Sequence, residues 1–119
     1  MAEATIETLT ERLLAFREAR DWRQFHSLKN LILSLNLEAA ELLELTQWKS
    51  DEAVEEAASE PGYRARLAEE CADVLLYLLL VAERAGIDLL AAAAAKIEAN
   101  DAKYPVEKAQ GNARKYTDL

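Results

Sequence analysis

The amino-acid sequence predicts an all-α domain, and composition, scarce turn residues and hydrophobic spacing each indicate it. The 119-residue chain holds 23 Ala, 20 Leu and 16 Glu, which are strong helix formers, against only 3 Gly and 2 Pro. Hydrophobic residues make up 51 % of the sequence, which excludes a wholly disordered chain, and the length suits one core. We therefore expect a single domain over residues 1–119, built as a compact four-helix bundle with a polar tail from about residue 104.

The first two predicted helices follow from apolar side chains spaced three and four residues apart. Helix one extends over residues 5–20 and helix two over residues 27–48, and residues 21–26 between them form a break rich in aromatic rings. The second helix carries the longer apolar stripe, which consists of Leu28, Leu31, Ile32, Leu35, Ala39, Leu42 and Leu45. Each helix is therefore expected to bury one face.

Turn residues bound the third and fourth predicted helices. Residues 49–62 are acidic and are expected to form an exposed connection with one helical turn. The third helix extends over residues 61–84, because proline is tolerated in a first turn, and Gly86 ends it. The fourth extends from Asp88, its cap, to about Lys103.

The composition of the third helix indicates that several copies of the chain assemble. Residues 74–82 are all apolar, so this helix has no polar face and must be covered all round. A four-helix monomer leaves one face of each helix in water, and we therefore expect a homo-oligomer. The alternative is that the C-terminal tail folds over this helix.

Charge and termini limit the partners and the compartment. With 14 Lys+Arg against 22 Asp+Glu, the chain has a net charge of −8 and is not expected to bind a nucleic acid polymer. Its single cysteine, Cys71, excludes a disulfide framework. The N-terminus lacks the features of a signal peptide, and the longest apolar run is shorter than the roughly 20 residues of a membrane span. We expect a soluble, cytoplasmic protein without membrane partners.

Five acidic residues lie at helical spacing on the second and third helices. Glu38, Glu41 and Glu44 are spaced by three, and so are Glu70 and Asp73. At about 100° per residue, Glu38 falls within the apolar arc of its helix, whereas Glu44 lies towards the outer edge. Glu70 and Asp73 lie on the most apolar helix of the chain. Ionised carboxylates buried without partners cost several kcal/mol each, so a positive charge is expected among them.

Two sources of that positive charge are open. A hard divalent cation, Mg²⁺ or Mn²⁺, is favoured because it prefers oxygen ligands. The alternative is a salt-bridged core in which Arg66, Lys29 or Lys96 pairs with the acids. A di-iron carboxylate bundle is disfavoured, because it requires a Glu-x-x-His pair and the single histidine, His26, lies outside this pattern.

The acids also carry a resemblance to a known family. Glu38-x-x-Glu41, then 28 residues, then Glu70-x-x-Asp73 resembles the signature of the MazG-like, all-α nucleoside triphosphate pyrophosphatases. Further stretches are similar to the dCTP pyrophosphatase subgroup, namely residues 21–26, 38–45 with 47–49, 70–78, 96–100 with 103–105, and 114–117. The resemblance covers about residues 20–119, and within it residues 49–63 match no motif.

The resemblance implies hydrolysis of a (deoxy)nucleoside triphosphate, with dCTP or modified dCTP favoured, to the monophosphate and pyrophosphate. It implies a tetramer rather than a dimer. It implies Mg²⁺ as cofactor, with Mn²⁺ as a substitute, held by Glu38, Glu41, Glu70 and Asp73. Glu41 or Glu44 is the candidate catalytic base that orients the attacking water. Bridging cations would also reconcile an acidic chain with an anionic substrate.

The same resemblance implies two groups of substrate contacts. Phosphate contacts would come from Lys96, Asn100, Lys103, Arg114, Lys115 and Tyr116. Base contacts would come from Trp22, Phe25, His26 and Trp48. The alternative is that both tryptophans anchor the core or an interface and that His26 packs or caps a helix. Tyr77 and Cys71 are interpreted as structural residues.

Two other functions are weighed against this one. The first is a pyrophosphatase with dUTP or broad dNTP preference. The second, from a different class, is a non-catalytic helical oligomerisation module. Such a module has no reason to keep Glu38 and Asp73 facing a core, so the four acids favour an enzyme.

Overall fold

The computed structural model describes residues 3–119, and all regular structure within them is helical, which confirms the predicted all-α class. The α-helices are α1 Ile6–Ala19, α2 Leu28–Glu44, α3 Asp51–Ala57, α4 Pro61–Ala85, α5 Leu89–Lys103 and α6 Val106–Ala109. Short 3-10 turns occupy Arg23–Phe25 and Tyr116–Asp118. No helix in this part of the chain combines the length and the hydropathy needed to cross a membrane.

The helix count differs from the predicted four. The four long helices α1, α2, α4 and α5 correspond to the four predicted ones, α3 is longer than the single turn expected in its place, and α6 is additional. Helix α3 extends the one helical turn expected in this connection to seven residues, and Ser50 caps it: the Ser50 side chain accepts a hydrogen bond from the Ala53 N–H at 3.2 Å. Two acids in its first turn add a favourable interaction with the helix dipole.

Helix α2 ends earlier than predicted. The apolar spacing continues to Leu45, which is buried, but the helix stops at Glu44 and residues 45–48 form turns. The Thr46 hydroxyl donates to the carbonyl of Leu43 at 2.8 Å, and such local bonds compete with helix continuation. The Tyr63 hydroxyl at the start of α4 donates to the carbonyl of Leu45, which ties the end of α2 to α4.

The chain divides into two compact units, one that ends at Gly86 and one that spans Ile87–Leu119. In the first unit, α4 packs against both α2 and α1. Leu31 of α2 and Leu79 of α4 are almost completely buried, and burying one such side chain contributes roughly 1.5–3 kcal/mol. This packing of α4 on α2 positions the candidate site.

Several large apolar side chains remain exposed on α2. Leu33, Leu37 and Leu43 are each more than half exposed, and Leu75 of α4 is also partly open to solvent. Large apolar side chains that are open to solvent suit a face that another chain covers. The homo-oligomer therefore stays a prediction, with this exposed surface as its structural support.

Candidate active site

Three carboxylates from two helices converge in the first unit. Glu38 and Glu41 lie one turn apart on α2, and Glu70 lies on α4. Each offers one carboxylate oxygen, and these three oxygens lie within 4.8 Å of one another. The three-residue spacing on α2 and the packing of α4 against it bring these like charges together. We call these three residues the carboxylate cluster.

Burial and mutual repulsion oppose ionisation of the cluster. Burial, followed by the neighbouring Glu41 carboxylate and the charges of Asp73 and Glu70, raises the pKa of Glu38 to about 7. Burial also raises the pKa of Glu70, and the charges of Glu41 and Asp73 add to the effect. The cluster therefore favours binding of a proton or another positive charge.

The residues present fit a hard divalent cation. The Oε2 atoms of Glu38 and Glu70 are buried and have no hydrogen-bond partner. Within residues 3–119 the one ion pair joins Arg17 to Glu18, so the salt-bridged core weighed above does not form there. An all-oxygen set of carboxylates with unpaired buried oxygens is the donor set that Mg²⁺ and Mn²⁺ prefer.

The other two candidate acids are not members of the cluster. Asp73 follows Glu70 by one turn on α4, and its charge contributes to the raised pKa of both Glu38 and Glu70. It borders the cluster and also lines a neighbouring cavity. Glu44 is exposed at the last residue of α2 and lies outside the converging set.

A cavity of about 250 Å³ lies beside Asp73. Its walls are mostly apolar and aromatic, and it is lined by Leu13, Phe16, Arg17, Trp22, His26, Asp73, Leu76, Tyr77 and Leu80. We call it the ring cavity. The rings of Phe16 and Trp22 meet edge to face, with centroids 5.7 Å apart and planes at 74°.

The end of α1 explains how Trp22 reaches the ring cavity. The N–H of Trp22 donates to the carbonyl of Arg17 and the N–H of Asp21 to that of Glu18, which is the Schellman pattern. Asp21 takes the left-handed conformation, with φ of 54°, that this motif requires. The chain therefore reverses at Asp21 and folds Trp22 back onto Phe16.

The four predicted base contacts are divided by the structure. Trp22 and His26 line the ring cavity, whereas Phe25 and Trp48 lie outside it and are 61 % and 96 % exposed. Trp48 also has a left-handed backbone, with φ of 64°, which costs a bulky residue about 1–3 kcal/mol. Burial, with the charge of Arg17 as a second cause, lowers the pKa of His26 and so favours the neutral imidazole.

Sequence reasoning missed Arg17 and assigned Tyr77 only a structural role, yet both line the ring cavity. A signal for Arg17 was available. Leu13, Phe16 and Arg17 follow the three-and-four spacing of one helix face, so the arginine lies on the face that α1 turns towards α4.

The predicted phosphate contacts all belong to the second unit and are exposed. Lys96 and Asn100 lie one turn apart on α5, as the sequence predicts. The Lys103 Nζ lies 4.9 Å from the centroid of the Tyr116 ring, and that ring meets Tyr104 edge to face at 6.2 Å. These contacts bring the C-terminal turn back to the end of α5.

Comparison with known proteins supports the resemblance found in the sequence. The model of the MazG-like family matches residues 33–119. The chain is 45 % identical over 117 residues to dCTP pyrophosphatase 1 of Rattus norvegicus, covering 98 % of this chain and 69 % of the rat protein. It is 42 % identical to dCTP pyrophosphatase 1 of Homo sapiens over the same shares of the two chains.

A solved structure agrees with these relatives. The crystal structure of a pyrophosphatase from Archaeoglobus fulgidus is 38 % identical, with a TM-score of 0.79 over 88 % of this chain and 96 % of that one. The two proteins are therefore similar in sequence as well as in fold. The resemblance read from Glu38, Glu41, Glu70 and Asp73 is therefore confirmed, and the chain belongs to the MazG-like family.

Proposed function

We propose that the chain is a divalent-metal-dependent pyrophosphohydrolase of deoxynucleoside triphosphates that prefers dCTP or modified dCTP. One water molecule cleaves the substrate into the nucleoside monophosphate and pyrophosphate, and the physiological role is sanitation of the nucleotide pool. The observation that carries the proposal is the carboxylate cluster with its two unpaired buried oxygens, in a chain whose relatives are named dCTP pyrophosphatases.

The carboxylate cluster is the proposed metal-binding site, and Asp73 beside it is the fourth proposed ligand. When bound, Mg²⁺ supplies positive charge for the triphosphate and lowers the pKa of a coordinated water. Mn²⁺ is a substitute because it accepts the same oxygen ligands. The raised pKa values of Glu38 and Glu70 mean that metal competes with protons for these oxygens, so binding strengthens as pH rises.

The protein's own side chains orient the substrate. Lys96, Asn100, Lys103, Arg114, Lys115 and Tyr116 are proposed as donors to the phosphates. Glu41 is the stronger candidate for holding the attacking water, because it is exposed and belongs to the cluster, while Glu44 lies apart. A carboxylate in that position accepts the proton as the water attacks.

The ring cavity is the proposed site for the base. Trp22 and His26 line it and offer an aromatic face and a neutral imidazole. Phe25 and Trp48 are exposed and stay proposed contacts at the surface. The exposed leucines of α2 support assembly into a homo-oligomer, with a tetramer favoured over a dimer.

A panel of all deoxynucleoside and ribonucleoside triphosphates with Mg²⁺ tests the proposal. The expected products are monophosphate and pyrophosphate, with dCTP turned over most efficiently. Release of single phosphate would refute the bond that we assign. Absence of turnover on every nucleotide, with Mg²⁺ and with Mn²⁺, would leave the non-catalytic oligomerisation module as the better interpretation. Light scattering on the same sample distinguishes tetramer from dimer.

A further inference from the structure

Arg17 is a buried charge that the fold satisfies only in part. It is 6 % exposed and is the one charged side chain that is buried within residues 3–119. Its Nε–H has no hydrogen-bond partner, and its ion pair joins Nη2 to Glu18 Oε1 at 3.4 Å, where Glu18 is exposed. A buried guanidinium with an unpaired N–H is destabilising unless an acceptor reaches it.

Arg17 lines a cavity that suits a flat ring. Arg17 lines the ring cavity together with Trp22 and Tyr77, and the unpartnered Nδ1 of His26 belongs to the same wall. At about 250 Å³, the cavity is smaller than the ~300–1,000 Å³ that encloses a whole drug-sized ligand. It therefore suits one part of a nucleotide. Asp73 lines it too, so a ring held there lies next to the acid that borders the carboxylate cluster.

The chemistry of the guanidinium selects which edge of a base it can bind. Arginine offers five N–H donors in a planar fork and no acceptor, so it pairs with two adjacent acceptors in one plane. Cytosine presents O2 and N3 as adjacent acceptors. Uracil and thymine carry a proton on N3, which places a donor against the donors of the guanidinium.

We propose that Arg17 is the specificity-determining residue of this site, donating from its guanidinium to O2 and N3 of a cytosine ring held in the ring cavity. This inference rests on the proposed pyrophosphohydrolase function. It adds a physical reason for discrimination between dCTP and dUTP, because the same donors left unpaired by uracil stay buried.

The test compares kcat/KM for dCTP, dUTP and dGTP in the wild type and in two variants. Arg17→Met removes the donors, and Arg17→Lys keeps the charge but loses the planar fork. We expect the wild type to prefer dCTP. Arg17→Met is expected to lower the ratio of dCTP to dUTP efficiency by about 10- to 100-fold, with Arg17→Lys between the two. Arg12→Met, which changes an exposed arginine on the same helix, is expected to leave the ratio unchanged.

A substrate analogue extends the test to the unaltered protein. 3-Deaza-dCTP retains the ring and O2 but lacks the N3 acceptor, and the wild type is expected to use it at least about tenfold less efficiently than dCTP. Equal use of the two would overturn the inference, whether or not the variants fold.

Other outcomes separate the inference from the function on which it rests. Equal losses on dCTP and dUTP in both Arg17 variants mean a structural role for Arg17 and overturn the inference while hydrolysis stands. A wild type that prefers dUTP or dGTP overturns it as well. If no triphosphate is hydrolysed, the proposed function fails. The role of Arg17 is then tested by binding: quenching of tryptophan fluorescence measures the affinity of the protein for dCMP and for dUMP. Equal binding of the two overturns the inference, and preference for dCMP that Arg17→Met abolishes supports it.

Discussion

Replacing Glu38 by glutamine is expected to stabilise the metal-free protein at pH 8. A pKa of about 7 in the folded state, against an ordinary value of 4.5, means that folding disfavours the ionised form. The difference corresponds to about 3 kcal/mol at pH 8. Solvent screening of a half-buried carboxylate reduces this to about 1–2 kcal/mol. Glutamine has no charge to desolvate, so the Glu38→Gln variant is relieved of this cost.

The sign of the pH dependence follows from linkage. Because the folded-state pKa is raised, the folded protein binds the proton more tightly than the unfolded chain between about pH 4.5 and 7. The contribution of Glu38 to the free energy of unfolding therefore becomes less favourable as pH rises through this window. Below pH 4.5 the carboxyl is protonated in both states, and the cost disappears.

Urea unfolding followed by circular dichroism, in EDTA and at one protein concentration, measures the effect at pH 5, 6, 7 and 8. Glu38→Gln is expected to exceed the wild type in stability at pH 8, with a gap that closes towards pH 5. Glu83→Gln changes an exposed carboxylate on α4 and serves as the matched control. A Glu38→Gln variant no more stable than the wild type at pH 8, or a gap of constant size, would refute the reasoning.

Three further predictions concern other positions. Glu70→Gln is expected to lower kcat/KM for dCTP at least about 100-fold, because it removes a cluster oxygen, with an unchanged circular dichroism spectrum; near-normal activity would show that the metal site is misplaced. Leu79→Ala is expected to cost about 2–5 kcal/mol in the free energy of unfolding, because Leu79 is fully buried, and a loss below 1 kcal/mol would contradict that core. Gly86→Ala is expected to lower the free energy of unfolding by about 1–2 kcal/mol. The φ of Gly86 is 68° and an added Cβ meets no atom within 4 Å, so backbone strain alone opposes the substitution. An unchanged stability would argue against the left-handed cap.

The boundaries of most helices could be predicted because short-range bonds set them. Thr5, Ser27 and Asp88 each accept a hydrogen bond from a backbone N–H three residues later, and the Asp88 cap is the one predicted from the sequence. Gly86 takes the left-handed conformation at the end of α4. Such features involve residues within one turn of each other, so a short stretch of sequence is enough to predict them.

The end of α2 and the burial of Arg17 could not be predicted, because they depend on contacts between residues far apart in the sequence. Helix α2 was expected to reach Trp48, but it stops at Glu44: besides the local bond from Thr46 to Leu43, Tyr63 donates to the carbonyl of Leu45 from eighteen residues away. The burial of Arg17 likewise depends on the walls that α4 and the turn after α1 build around it. Periodicity shows which face a residue lies on, but it does not show what covers that face.

The same division applies to the site. Helical periodicity alone sets Glu38 and Glu41 on one face of α2, and composition alone indicates an all-α protein with an acidic character. Tertiary packing alone decides that Glu70 joins them while Asp73 borders the ring cavity. The physical reason is that helical phase is a local property, whereas the distance between carboxylates on two helices, and the desolvation that raises their pKa, depend on how α4 packs against α2.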